Sequence, residues 1–162
     1  MTDPEFSHIV DDRAKMVDIS QKSMSVRTAR AVGSIKLKSS TINKIREGAV
    51  EKGSVLLTAR IAAILAVKNT PNVIPMCHPI PITDVDTEFE IGDDQITAYV
   101  TVKSVGKTGV EMEALHGVST ALLSVWDMVK SNEKDESGNY PDTMIDKIRV
   151  EFKVKEDAHY KD

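Results

Sequence analysis

Two runs of strict alternation sit side by side in the middle of this chain and restrict the folds open to it. Val85, Thr87, Phe89 and Ile91 alternate with acids, Ile96, Ala98, Val100 and Val102 alternate with mostly polar residues, and Gly92-Asp93-Asp94 separates them. Period-two patterns joined by a short turn specify an antiparallel hairpin with one buried face. A lone hairpin is unstable in water, so it needs further strands and a helical layer over its apolar side.

The flanking segments supply both. Residues 29–37 alternate Ala29, Ala31, Gly33, Ile35 and Leu37 with Arg30, Ser34 and Lys36, which reads as a strand. Ser39, Ser40 and Thr41 then offer a cap for a short helix ending at Gly48. Ser54 is the expected N-cap of a second helix over 55–67, apolar enough to be buried on most sides and expected to stop before Thr70-Pro71. Arg60 inside it needs a partner. After the hairpin come a long helix, a polar segment over 131–142 expected to be flexible, and a strand in which Ile148, Val150, Phe152 and Val154 alternate with charges. With the extra helix set aside the order is βαββαβ, a ferredoxin-like α+β fold on an antiparallel sheet. One domain is expected over 14–155, between a flexible tail at 1–13 and a short C-terminal tail at 156–162.

The long helix holds the first functional signal. Thr108 followed three residues later by Glu111 fits a capping box, so the helix is expected to start near Thr108. Leu115, Val118, Leu122, Val125 and Val129 share one face, and Glu113, Gly117, Thr120, Ser124 and Asp127 share the opposite one. A plain amphipathic helix would carry long charged residues there, whereas these short ones let a backbone or a ligand come close. Glu113 and Asp127 are nevertheless about 21 Å apart along the axis at ~1.5 Å per residue. One compact pocket cannot use both from one copy. A two-fold pairing of antiparallel helices would bring Glu113 of one copy to the partner's Asp127 and Lys130, so sites at a subunit interface are expected.

Composition removes whole classes. A formal charge of −4, a pI near 5.6 and 4% aromatic residues argue against nucleic-acid binding. Cys77, the single cysteine, excludes an intrachain disulfide and a cysteine-only metal cage. With no signal-type start and a longest apolar run of only 61–67, the expectation is a cytoplasmic protein without a membrane partner.

Three further segments carry chemistry. Pro75-Met76-Cys77-His78-Pro79-Ile80-Pro81 pins a thiol and an imidazole in stiff, extended chain, which suits a ligand contact or a proton shuttle as well as it suits a plain connector. Two adjacent ligands cannot close a tetrahedral metal site, so no metal is assigned. Lys52 stands just before the second helix, where a phosphate is a natural guest. Gly106-Lys107-Thr108 matches the tail of a phosphate-binding loop, but that motif needs a glycine where Thr101 stands.

Lys52-Gly53, Thr58-Ala59-Arg60-Ile61-Ala62, Met76-Cys77-His78-Pro79, the run from Gly106 through Glu111-Met112-Glu113 to Leu115, and Asp127-Met128-Val129-Lys130 together resemble the molybdenum cofactor biosynthesis protein C family, the cyclic pyranopterin monophosphate synthases. The motifs fall in order over about residues 15–155. The resemblance implies a lyase that converts a cyclised dihydroguanosine triphosphate, made by a radical enzyme, into cyclic pyranopterin monophosphate and pyrophosphate. It implies Asp127 as the catalytic acid/base, with Lys52 and Lys130 assisting proton transfer. Met76, Cys77, His78, Met112 and Glu113 would line the substrate site, with Glu113 or Glu111 accepting from a guanine-like edge. Lys22, Arg27, Lys107 and Lys153 would meet the triphosphate, which could bring Mg²⁺; the chain itself needs no cofactor. It further implies a hexamer built as a trimer of dimers, and a transient contact with the radical enzyme.

The chain departs from the family at its end. Many members continue the last strand with Lys-Ser-Gly-Gly-Lys-Ser-Gly, where this one reads Phe152-Lys153-Val154-Lys155-Glu156-Asp157. The competing reading is a non-catalytic oligomeric module that binds a nucleotide or pterin on the same scaffold.

Overall fold

The computed structural model describes residues 9, 10 and 13–158. Short strands β1 (Ile9–Val10) and β2 (Arg13–Ala14) pair with each other; the rest of the expected tails, 1–8, 11, 12 and 159–162, lies outside the described residues. Then follow β3 (Ser25–Lys36), α1 (Ser39–Arg46), α2 (Val55–Val73), β4 (Ile82–Ile91), β5 (Gln95–Gly106), α3 (Glu111–Glu133) and β6 (Met144–Asp157). The last four strands form an antiparallel sheet in the order β4-β5-β3-β6, the ferredoxin-like arrangement that the alternation predicts. Among the described residues no helix is long and apolar enough to cross a membrane.

The β3–β5 ladder runs without interruption from Ser25↔Gly106 to Lys36↔Gln95. Ala29, Ala31 and Ile35 therefore share a face with Val102, Val100 and Ile96, and all six are fully buried beneath α2 and α3. Small residues set how closely the helices sit. A Cβ on Gly117 would lie 2.9 Å from Val67 Cγ2 and 3.0 Å from Val100 Cγ1, so this glycine is what lets α3 approach both α2 and the sheet. The short-residue face of α3 is thus divided: Glu113 and Gly117 are buried, while Asp127, three turns on, is exposed.

Several expectations are corrected. α2 continues through Pro71 to Val73, because a proline in the last turn forfeits little of the ladder and Ile74 N–H closes it on Thr70 O at 2.9 Å. Nor is α2 buried on most sides: Leu57, Ile61 and Leu65 form a stripe that is 52–61% exposed. Arg60 finds its partner in the Phe89 ring, 6.0 Å from the guanidinium carbon. The capping box does not form. α3 starts at Glu111, with Val110 as N-cap and no side-chain cap, because Glu111 turns its carboxylate elsewhere. The polar stretch after α3 is a folded turn, in which Asp135 accepts from Ser137 N–H at 2.8 Å and Asn139 N–H at 2.9 Å, and Tyr140 packs edge-on to Trp126 at 5.5 Å.

β6 breaks the alternation read from its sequence. Its register against β3 shifts between Arg30 and Ala31 and again between Val32 and Ser34. Val150 pairs with Ala31 on the helix side, whereas Phe152 and Val154 pair with Arg30 and Thr28 on the open side. The same shift sets Lys153 opposite Ala29, toward the start of α3.

The cap of α1 comes from a distant residue. Lys38, its N-cap, makes no side-chain cap; instead the fully buried Glu133 carboxylate, at the end of α3, accepts from Lys38 N–H at 3.2 Å and from the hydroxyls of Thr41 and Thr143, the latter at 2.6 Å. Removing it strands three donors. Glu133→Ala is expected to lower unfolding free energy by about 3 kcal/mol, read from the urea midpoint at unchanged slope; a loss below about 1 kcal/mol would contradict this role.

Candidate active site

The prolines of 75–81 carry the chain from α2 to β4 and hold Met76, Cys77 and His78 against the first turn of α3. Between them lies a cavity of about 320 Å³. Met76, Cys77, His78, Met112 and Glu113 line it together with Val17, Ile19 and Lys22. Glu113 is 2% exposed, and its Oε1 has no hydrogen-bond partner among the described residues. Burial pushes its carboxyl up, assisted by the charge of Glu111 and opposed by its own backbone N–H. Burial likewise raises the Cys77 thiol, and the neighbouring Glu113 adds to it. His78 Nε2–H donates to Val17 O at 2.8 Å, which spends one ring nitrogen on structure.

A second hollow of about 310 Å³ adjoins the first, sharing Lys22, Thr108, Gly109 and Glu111. Its cations are Lys22, Arg27, Lys107, Lys153 and Lys155, against the single acid Glu111. Lys153 Nζ donates to Glu111 Oε1 at 2.7 Å. Burial pushes the Glu111 carboxyl up, but this bond, its own backbone N–H and the charges of Lys153 and Arg27 outweigh it and leave it below the usual carboxylate range. Five cations around one ionised acid make a site for a polyanion. A Cβ on Gly109 would run into the Glu111 carboxylate, so a side chain there would shift that carboxylate from its present place.

The remaining predicted residues gather elsewhere. Asp127, near the far end of α3, accepts from Lys130 Nζ at 2.8 Å and from Lys52 Nζ at 3.1 Å; Lys52 also donates to the Asp127 carbonyl at 2.8 Å. Gly53, at φ 97°, provides the turn that leads from Lys52 into α2. Lys52 is thus satisfied by the Asp127 carboxylate and carbonyl, and it does not line the basic hollow. The bonds from Lys130 and Lys52 hold the Asp127 carboxyl below its ordinary value of 3.8, and the bond to Asp127 raises Lys130. A depressed carboxyl keeps its ion pairs above the ordinary value and loses them as pH falls through the depressed one. NMR titration is expected to find Asp127 ionising below 3.8, and to return toward that value in Lys130→Ala. An unchanged titration in the variant would contradict the pairing.

The predicted residues therefore form two groups at opposite ends of one continuous helix. Val17, Ile19, Ile80, Thr108, Gly109 and Lys155 join the lining without having been assigned to the site, because they lie in irregular chain or on a bulged strand. Only Lys155, two residues from Lys153 and so on the same side of β6, carried a usable signal.

Both groups fall within residues 16–156, which match a family profile described as the MoaC family. The chain belongs to the MoaC family. Its relatives in that family match nearly end to end. A protein of Methanococcoides burtonii is 69% identical over 152 residues, 94% of this chain and 96% of its own, and one of Methanosarcina acetivorans is 64% identical over 150 residues, 93% and 95%. Both are named probable cyclic pyranopterin monophosphate synthase. A Methanothermobacter thermautotrophicus relative, 58% identical over 151 residues and covering 93% and 95%, is named a probable accessory protein of that synthase. Within this MoaC family chain Lys52 and Lys130 both contact Asp127, while Met76-Cys77-His78 and Glu111-Met112-Glu113 line one cavity.

Proposed function

We propose that this chain is a cyclic pyranopterin monophosphate synthase, a lyase that rebuilds a cyclised dihydroguanosine triphosphate into cyclic pyranopterin monophosphate and releases pyrophosphate. The observation that carries the reading is the pair of joined hollows: a pocket with a buried, unpartnered carboxylate oxygen opens into one lined by five cations. The first suits a purine-like edge with its N–H donors, the second a triphosphate tail. The names carried by relatives across nearly the whole chain support the same substrate.

In this reading the base meets Glu113, Met112 and the 76–78 segment, while Lys22, Arg27, Lys107, Lys153 and Lys155 hold the phosphates. Attack of a sugar hydroxyl on the innermost phosphorus expels pyrophosphate, and the cations stabilise the charge on both fragments. Any Mg²⁺ arrives with the triphosphate. Asp127 moves protons during ring opening and closure, with Lys52 and Lys130 as its partners. Since about 21 Å of helix separates Glu113 from Asp127, the partner's Asp127 completes each site. The exposed stripe of Leu57, Ile61 and Leu65 supports burial against another copy. The full assembly is a cytoplasmic hexamer, a trimer of such dimers, that receives its substrate in a transient contact with the radical enzyme.

Purified protein supplied with the cyclised nucleotide is expected to release one pyrophosphate per substrate and accumulate the pterin product. Tight binding without release would instead favour the non-catalytic oligomeric module that binds a nucleotide or pterin.

A further inference from the structure

Part of the lining that the cavity shares with Met76, Cys77 and Met112 comes from a segment with no regular secondary structure, residues 15–24. Val17 and Ile19 are its two half-buried positions, and both line the cavity; most of the segment around them is exposed. Three features hold it in place. His78 Nε2–H donates to Val17 O at 2.8 Å, Lys107 Nζ donates to Ser20 O at 2.6 Å, and Asp18 accepts from Ser20 N–H at 2.8 Å to shape the turn between them. The two anchoring side chains come from different elements, one from the proline-rich segment and one from the end of the hairpin. Lys22, at the end of the strap, lines both hollows.

We infer that residues 16–22 are a roof over the heterocycle, in which Val17 and Ile19 are contact residues for the base and His78 and Lys107 position the roof through the carbonyls of Val17 and Ser20. The inference rests on the nucleotide reading above for the identity of the ligand, but not for the anchoring. Its chemistry is simple. A planar ring held on its edge by Glu113 needs apolar contact on its faces, and Val17 and Ile19 are apolar lining residues of this cavity alongside Met76, Ile80 and Met112. Anchoring through backbone carbonyls explains why no sequence pattern marks the segment. It also gives His78 a role that needs no proton transfer.

The test has two arms. Amide hydrogen exchange on the substrate-free protein is expected to speed up about tenfold over residues 16–22 in His78→Ala, as for loss of one hydrogen bond, with β5 unchanged; His78→Gln, whose amide can still donate, should exchange more slowly than His78→Ala. In the second arm GTP serves as a stable probe. Ile19→Ser is expected to weaken GTP binding about tenfold, as for loss of an apolar contact, and Ile19→Met to preserve it. Using Ile19 avoids Lys107, whose loss would also weaken the phosphate site directly. Unchanged exchange in His78→Ala, or equal GTP affinity in the two Ile19 variants, would overturn the roof. If the wild-type protein bound no GTP, the nucleotide reading would fail, and exchange alone would then decide whether the roof is pinned.

Discussion

Asp127→Asn is expected to reduce pyrophosphate release by about a thousandfold or more while leaving fold and assembly intact. Among the described residues the carboxylate is the one acid that touches both Lys52 and Lys130, at 3.1 and 2.8 Å, and these two bonds hold its pKa below the ordinary value. An amide of the same shape can still accept one hydrogen bond but cannot exchange protons, so the loss should fall within the range of about 10²–10⁴ typical of a missing acid/base, or beyond it if the charge also stabilises the transition state. Substrate affinity should change little, because the binding contacts are assigned to the paired hollows and Asp127 to proton transfer alone. The side chain is exposed, so no core contact is disturbed. The expected pattern is therefore a collapse of kcat with KM within a few-fold, and unchanged native mass and circular dichroism. Retention of more than about a tenth of wild-type kcat would remove Asp127 from the chemistry.

The scaffold was readable in the amino acids because most of it obeys a period. The hairpin, the first long strand and the buried face of α3 each repeat at their proper interval, and together they allow only the βαββαβ order. What could not be read depends on register or on tertiary partners. Val150 and Phe152 look equivalent in an alternating strand, and only the bulge between Arg30 and Ala31 puts them on opposite sides of the sheet. Glu133 reads as one more charge at a helix end, yet it caps α1 across the molecule. Thr108 and Glu111 satisfy a capping pattern locally, but Lys153 offers the carboxylate a better partner. The site divides in the same way. Asp127, Lys52, Lys130 and the cavity residues were recognisable from motifs, whereas Val17 and Ile19 sit in a strap held by its own carbonyls, a contact that leaves no trace in side-chain identity.

The central claim is that a complete site needs two copies, one contributing the paired hollows and the other the Asp127 cluster. Complementation tests it most directly. Glu113→Gln replaces a pure acceptor edge with one that also donates, and Asp127→Asn removes the proton carrier, so homogeneous preparations of either variant should fall below about one-hundredth of wild-type turnover. Co-expressed with separate tags and purified as mixed oligomers, the two should recover activity, because one site in each mixed dimer combines two unaltered halves. Random pairing predicts recovery to about one-quarter of wild type. A mixture no more active than the sum of its parents would mean that each copy works alone, and the shared site would have to be given up.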